Sequence, residues 1–239
     1  MASSKGKHFQ IALDAIERIE AQRSADDLNT AVKHSIATFG YQNHCFVLPR
    51  SLAMPALRER KLLMSWPQAW FRQYDRWAKD DAVATAFRSR RSSFRWSDLD
   101  IRATASLRVM EMASDDFDMK KGFGIPIFGL DALEAGVSFS GPDLDETDEA
   151  NFAVELIGIY AFNHYTKLRT AERKPSLTPR QREMMKWVAA GKTAWDISVI
   201  MSVSQDTVNK TLAAAMRNLE VVTRAQAIAE ALRRREIEF

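Results

Sequence analysis

Apolar residues recur at the spacing of an α-helix in several segments of this chain and gather into short continuous runs in others. The helical segments are residues 9–20, 26–39, 66–77, 103–113 and 145–168, and the runs typical of strands are 41–49, 124–128 and 133–140. Strands that are preceded and followed by amphipathic helices predict a sheet with helices on both of its faces. We therefore expect an α/β/α sandwich of about 165 residues in the N-terminal part.

A polar stretch that contains a proline, residues 170–176, separates this pattern from a second pattern that is helical throughout. We expect a sandwich domain over residues 1–169, a linker over 170–176 and a four-helix domain over 177–239. The predicted fold class is α+β: an N-terminal α/β/α sandwich followed by an all-α domain.

The C-terminal segment carries a series of helix start signals, each a hydroxyl side chain with Gln, Asp or Thr three residues later. These residues are Thr178, Thr193, Ser204 and Thr223. The first helix should stop at Gly191, and only a few residues around Ser202 separate the second helix from the third. A short helix, a tight turn and a longer helix with polar outward positions favour a DNA-binding helix-turn-helix. A helical bundle that contacts other proteins is the alternative.

The distribution of charge favours a nucleic-acid partner for this C-terminal segment. The net charge of the chain is +3. From Lys174 onward there are 11 Lys or Arg against 7 Asp or Glu, so this segment is +4 and the preceding residues are −1. A small basic domain behind a nearly neutral larger one is typical of a DNA-binding domain attached to a sensor.

Several classes of protein are disfavoured by composition. No apolar run approaches the roughly 20 residues of a membrane span, so we expect no membrane partner. The single cysteine, Cys45, excludes internal disulfides and is consistent with a cytoplasmic location. The four histidines lack metal-ligand spacing, and the sequence shows no combination of base, nucleophile and orienting partner. We therefore expect no metal, no cofactor and no enzymatic activity.

Residues 177–232 resemble the LuxR-type DNA-binding domain, with matching residues at Leu177–Arg180, Ala189–Thr193, Thr207–Val208 and Arg224–Ala227. The sequence departs from the family pattern at Gln181, where Glu is usual, and at Asn209, where a basic residue is usual. The outward positions and the resemblance together give the side chains that we expect to contact double-stranded DNA. They are Thr193, Ser204, Thr207, Asn209 and Lys210.

Residues 10–165 resemble the acyl-homoserine-lactone-binding domain of quorum-sensing regulators. The resemblance rests on the order of a Trp and a Tyr one helical turn apart, an Asp, a second Trp, and a Gly before a strand. These residues are Trp70, Tyr74, Asp81, Trp96 and Gly122. Without the resemblance, Trp70 and Tyr74 would be interpreted as core aromatics, and Asp81 beside Asp80 as a solvated pair.

The resemblance implies a role for each side chain toward such a ligand. Asp81 would accept the amide N–H, and the Trp70 indole would donate to the lactone carbonyl. Tyr74 and Trp96 would form aromatic walls, and Ser138 would reach an oxo group on the acyl chain through water. A Tyr usually precedes the helix Trp by four residues, where this chain has Trp66, a bulkier ring that would shorten the pocket. The predicted ligand-binding residues are thus Trp66, Trp70, Tyr74, Asp81, Trp96 and Ser138.

The sequence therefore predicts a quorum-sensing transcriptional regulator that binds an acyl-homoserine lactone autoinducer and, as a homodimer, palindromic DNA. The alternative is a LuxR-type orphan regulator that needs no ligand or senses another one. Such a protein could act as an antagonist by forming a heterodimer with a related regulator. An enzyme fused to a DNA-binding domain and a phosphorylated receiver are both disfavoured, because neither a catalytic motif nor the required alternation of strands and helices is present.

Overall fold

The computed structural model describes residues 4–47, 63–74, 77, 80–101, 104–129, 133–171 and 175–238. The chain divides into two compact units, Met1–Ala171 and Glu172–Phe239, and each is described by itself below. Parts of four predicted segments lie outside the described residues: the end of the strand at 41–49, residues 75–76 of the helix at 66–77, residue 103, and residues 172–174 of the predicted linker.

The N-terminal unit is a four-stranded antiparallel sheet between two layers of helices, with strand order β1-β4-β3-β2. Its elements are α1 (Ser4–Glu20), α2 (Ala25–Ala37), β1 (Asn43–Val47), α3 (Gln68–Tyr74), α4 (Ala82–Ser89), β2 (Phe94–Arg95), a 3-10 turn (Trp96–Asp98), α5 (Thr104–Phe117), β3 (Lys121–Phe128), β4 (Leu133–Gly141) and α6 (Asp148–Ala171). This confirms the predicted sandwich. Helix α4 and strand β2 were not predicted, because each is too short for a periodic pattern.

The two faces of the sheet belong to different apolar cores. On one face Phe46, Phe123 and Phe139 pack with residues of α1, α2 and α6, such as Ile19 and Ile157. On the other face the described core contains aromatic residues of α3, α4, β2 and the turn that follows it. Alternation of side chains along each strand assigns neighbouring residues to opposite cores. The residues on the second face of the sheet therefore form the surface against which α3 and α4 pack.

The C-terminal unit contains the four predicted helices, α7 (Pro179–Ala189), α8 (Ala194–Ile200), α9 (Gln205–Asn218) and α10 (Arg224–Arg233). Their N-caps are the predicted Thr178, Thr193, Ser204 and Thr223, each of which accepts a backbone N–H three residues later. Gly191 follows α7 with φ +79°, a backbone conformation that favours glycine. Ile197, Val208 and Leu212 are buried between the helices, as predicted.

Among the described residues, no helix combines the length and the apolar character that crossing a bilayer requires.

Candidate ligand site and DNA-binding surface

The central strands of the sheet present mainly small residues on the second face. Cys45 on β1 lies opposite Ser138 on β4, which in turn lies opposite Gly124 on β3. In the next row, Ser140 lies opposite Gly122. These residues form a floor of small side chains for the second core, whereas the neighbouring rows on the first face carry Phe46, Phe123 and Phe139.

Part of this floor is covered by aromatic rings that lie directly on glycine. A Cβ atom at Gly122 would stand 2.2 Å from the Trp96 ring, and one at Gly124 would stand 2.4 Å from the Phe94 ring. Neither distance is possible for real atoms, so both positions require glycine to let the ring approach. The predicted landmark Gly122 therefore has a physical role, which is to seat Trp96 against β3.

Helix α3 contributes a second group of aromatic rings above the sheet. Trp70, which is only 2% exposed, stacks on Tyr74 with ring centroids 5.3 Å apart and planes 24° apart. Trp66 meets the Trp70 ring edge to face at 5.2 Å, and Phe117 of α5 does the same at 5.5 Å. Trp66, Trp70, Tyr74 and Trp96, four of the predicted ligand-binding residues, thus lie in one apolar cluster.

Asp81 is a buried carboxylate that accepts hydrogen bonds from other groups of the protein. It is the N-cap of α4, where Oδ1 accepts the Val83 N–H at 2.8 Å, and its Oδ2 accepts the Tyr74 hydroxyl at 2.6 Å. Burial raises the pKa of Asp81, although the bonds from Tyr74 and from backbone N–H groups act in the opposite direction. Burial and the neighbouring Asp81 likewise raise the pKa of Tyr74, so its hydroxyl remains a donor.

Several buried polar atoms in this region lack a hydrogen-bond partner among the described residues. They are Trp70 Nε1, Trp96 Nε1, Ser138 Oγ and Ser140 Oγ. A buried donor left unsatisfied costs about 1–3 kcal/mol, so such groups call for a partner beyond the described residues. Together with Asp81, they offer hydrogen-bond donors and an acceptor among the aromatic residues of the second core, which is the composition of a site for a small amphipathic molecule.

Two residues of this floor were not singled out in the sequence. Ser140 shares the alternation of Ser138, so the period of β4 could have indicated it. Cys45 lies within the predicted strand at 41–49, but no site was assigned to it. Burial raises its pKa to about 12, and it lies close enough to Tyr74 to contribute to the raised pKa of that residue. Cys45 on β1 and Tyr74 on α3 therefore lie near each other.

The predicted DNA-binding residues lie on the helix-turn-helix formed by α8, the turn after it and α9. Thr193 and Ser204 are exposed, and their hydroxyls cap α8 and α9. Thr207 is half-buried, and its hydroxyl lies 2.8 Å from that of Ser204. The helix starts thus hold these three side chains in fixed positions.

The two remaining predicted residues have side-chain partners. Lys210 Nζ pairs with Asp206 Oδ2 at 2.8 Å, one turn earlier on α9, and both side chains are well exposed. Asn209 is exposed, and its Oδ1 accepts a hydrogen bond from Arg224 of α10 at 3.0 Å. Within the described part of the chain, no three His, Cys, Asp or Glu side chains are grouped so as to hold a metal ion.

Comparison with known proteins assigns both units. Residues 24–165 match the family described as autoinducer binding domain, and residues 175–231 match the bacterial regulatory proteins of the luxR family. The protein is therefore a DNA-binding regulator with a small-molecule sensor domain. Over 95% of its length it is 34% identical to the transcriptional activator protein BjaR1 of Bradyrhizobium diazoefficiens, 96% of which is covered.

The chain belongs to the LuxR family of quorum-sensing transcriptional regulators. This family consists of regulators, in agreement with the prediction that the protein is not an enzyme.

Solved structures show the same fold. Escherichia coli SdiA has a TM-score of 0.75 at 18% identity, with 97% of this chain and 99% of that chain covered. A structure of SdiA in complex with octanoyl-rac-glycerol has a TM-score of 0.74 at 18% identity and covers 97% of this chain and 96% of that one.

Proposed function

We propose that this regulator binds an acyl-homoserine lactone on the small-residue face of its N-terminal sheet and, as a homodimer, binds palindromic DNA. The observation that carries the ligand proposal is the set of buried polar atoms of the second core and of β4 that have no hydrogen-bond partner among the described residues. A ligand that satisfies these atoms stabilises the folded domain, because it binds the native state and not the unfolded chain.

The polar groups of an acyl-homoserine lactone complement those of the site. The Trp70 indole N–H would donate to the lactone carbonyl, and Asp81 would accept the amide N–H in a charge-assisted bond. The Asp81 carboxylate accepts hydrogen bonds from Tyr74 and from the backbone N–H groups of Val83 and Ala84, and a carboxylate has about four acceptor positions, so it can accept another. Ser138 would reach an oxo group on the acyl chain, directly or through water.

Tyr74 has a more definite role in this proposal than that of an aromatic wall. Its hydroxyl donates to Asp81 while its ring stacks on Trp70, so it connects the two residues that would hold the lactone and the amide. Trp96, seated on Gly122, remains the opposite wall.

Trp66 favours a short or compact acyl group. Its ring lies edge to face against Trp70 and is larger than the tyrosine that the family usually has there, so the space beyond Trp70 is reduced. A pocket that has lost volume excludes longer chains by steric overlap.

On the DNA side, we propose that Thr193, Ser204, Thr207, Asn209 and Lys210 contact the duplex as α9 enters the major groove. One recognition helix reads only a half-site, and a two-fold dimer would read a palindrome. Phe9 on α1 and Phe152 on α6, which are 52% and 59% exposed, lie on two helices that pack together and would lie in the dimer interface. A cytoplasmic location is part of the proposal, because chromosomal DNA lies there.

A second candidate function is that of an orphan regulator that responds to another ligand or to none, and that forms heterodimers with a related regulator. Trp66 favours this alternative, because it stands where the family usually has a tyrosine donor. The complex of SdiA with octanoyl-rac-glycerol makes an acylglycerol a reasonable competitor in any test.

Mass spectrometry of an organic extract of the purified full chain distinguishes these functions. The protein is expressed with an equimolar mixture of acyl-homoserine lactones of different chain lengths and octanoylglycerol. We expect one short-chain lactone to copurify, and much less of it with Trp70→Phe, which keeps an aromatic ring but lacks the N–H. Recovery of acylglycerol alone, or of no acyl compound, would contradict lactone binding.

A further inference from the structure

The side chains in the first two turns of the recognition helix carry no net charge. Asp206 and Lys210 form an ion pair one helical turn apart, and their charges cancel. Asn209, which lies between them in sequence, is uncharged. DNA affinity depends largely on cations that neutralise phosphates, so a helix with this composition needs positive charge from a neighbouring element.

Arg224 of α10 supplies a cation at this position. It is exposed, and its Nη2 donates to Asn209 Oδ1 at 3.0 Å. A guanidinium has five N–H donors, so this bond leaves most of them available. Arg224 is the first residue of α10, directly after the N-cap Thr223, whose capping box with Gln226 fixes the start of the helix. The backbone below the Arg224 side chain is therefore well defined.

We propose that Arg224 binds a phosphate of the DNA backbone beside the recognition helix and that Asn209 positions it. The side chain projects from α10, and not from the helix that enters the groove, so it approaches α9 from the side where the backbone of the duplex would run. The planar fork of arginine binds phosphate through two parallel N–H bonds, and the bond to Asn209 reduces the rotamer freedom lost on binding. In this way Asn209 replaces a basic side chain indirectly, by holding a cation from α10.

The test measures DNA affinity as a function of salt concentration with the full-length protein. The probes are a fluorescent duplex selected from a random pool by the wild-type protein and a scrambled duplex of the same length. We expect Arg224→Ala to lower the affinity for both duplexes by about tenfold and to reduce the slope of log K against log salt by about 1. Arg224→Lys, which keeps the charge but not the fork, should preserve the slope and lose less affinity.

Variants of Asn209 separate positioning from direct contact. Asn209→Ala should weaken binding to both duplexes by a few-fold without changing the salt slope, since Arg224 keeps its charge. Asn209→Asp should reduce the slope as well, because the new carboxylate would neutralise the arginine. Arg180→Ala is the matched control. This arginine is also exposed, but it is the second residue of α7 and belongs neither to the helix-turn-helix nor to α10. It should leave affinity and slope unchanged.

Two outcomes would overturn the proposal. One is an Arg224→Ala protein with wild-type melting temperature and unchanged affinity and slope. In that case the hydrogen bond between Arg224 and Asn209 would only connect α10 to α9 and would have no role in DNA binding. The other is a loss confined to the selected duplex, which would indicate a contact with a base and not with a phosphate.

Discussion

The two faces of the N-terminal sheet use their side chains in opposite ways, although they share the same strands. The face toward α1, α2 and α6 is filled with large apolar residues such as Phe46, Phe123 and Phe139. The face toward α3 and α4 presents mainly glycine, serine and cysteine on the central strands, and some of its buried polar atoms have no hydrogen-bond partner among the described residues. The first face provides packing, and the second provides small side chains and unsatisfied hydrogen-bonding groups.

This difference shows how a single sheet can support a fold and also accept a ligand. Tight packing stabilises the domain at all times, whereas buried polar groups without partners lower its stability until a ligand satisfies them. Stability measured with and without ligand should therefore divide the residues of the sheet into two groups. The following substitutions test this division.

The largest effect is expected on the packed face. Phe139 is completely buried and meets Tyr41 edge to face at 5.8 Å, so Phe139→Ala should leave a cavity and cost about 3–5 kcal/mol of unfolding free energy. Chemical denaturation should show the same loss with and without ligand. Leu107→Ala, at an exposed site on α5, is the control and should change stability little. A Phe139→Ala loss that ligand restores would break the proposed division between the faces.

A smaller effect is expected at Asp81, where the charge and the cap can be separated. Asp81→Asn keeps a good N-cap for α4 but removes the charge, so the bond to a ligand amide becomes neutral. We expect ligand affinity to fall roughly tenfold, since a bond to a charged group contributes about 1–1.5 kcal/mol more than a neutral one. Titration calorimetry with the copurifying lactone measures this change, and an unchanged affinity would exclude Asp81 from the site.

In the absence of ligand, the stability difference between Asp81→Asn and the wild type should depend on pH. Burial raises the pKa of Asp81 above the ordinary value of 3.8, so its contribution to stability is fully present below that value and is lost as pH rises through the raised pKa. Asp81→Asn should therefore gain melting temperature relative to wild type as pH increases from about 4 toward neutrality. A constant difference across this range would contradict the assigned burial of the charge.

The smallest effect is expected at Ser138. Its hydroxyl is buried without a partner among the described residues, so Ser138→Ala should leave the stability of the ligand-free domain unchanged or slightly increased. Lactones with an oxo group on the acyl chain should lose a few-fold in affinity, and those without it should lose little. A comparable loss for both kinds of lactone would place Ser138 away from the acyl chain.

Features set by local chemistry could be predicted from the sequence. The caps at Thr178, Thr193, Ser204 and Thr223 depend on residues within one turn, and the structure confirms all four. The sandwich could also be predicted, because most of its elements are long enough to show their period.

Features that depend on contacts between distant segments of the chain could not be predicted from the sequence. Whether Cys45 faces the floor of the site depends on how β1 pairs with β4, and a single sequence does not fix this pairing. The pairing of Asn209 with Arg224 joins two helices whose contact arises only in the folded domain. The bond from Tyr74 to Asp81 likewise depends on where α3 lies relative to the start of α4.

The most direct test of the ligand site is the indole N–H signal of Trp70 in an NMR spectrum of protein with ¹⁵N-labelled tryptophan. Trp70→Phe assigns the signal, and Trp195, which is 63% exposed in the C-terminal unit, serves as an internal reference. On saturation with an acyl-homoserine lactone, we expect the Trp70 signal to shift downfield and its exchange with solvent to slow, because the N–H gains an acceptor, while Trp195 stays unchanged. A Trp70 signal that does not move when the lactone is bound would contradict the site proposed for this regulator.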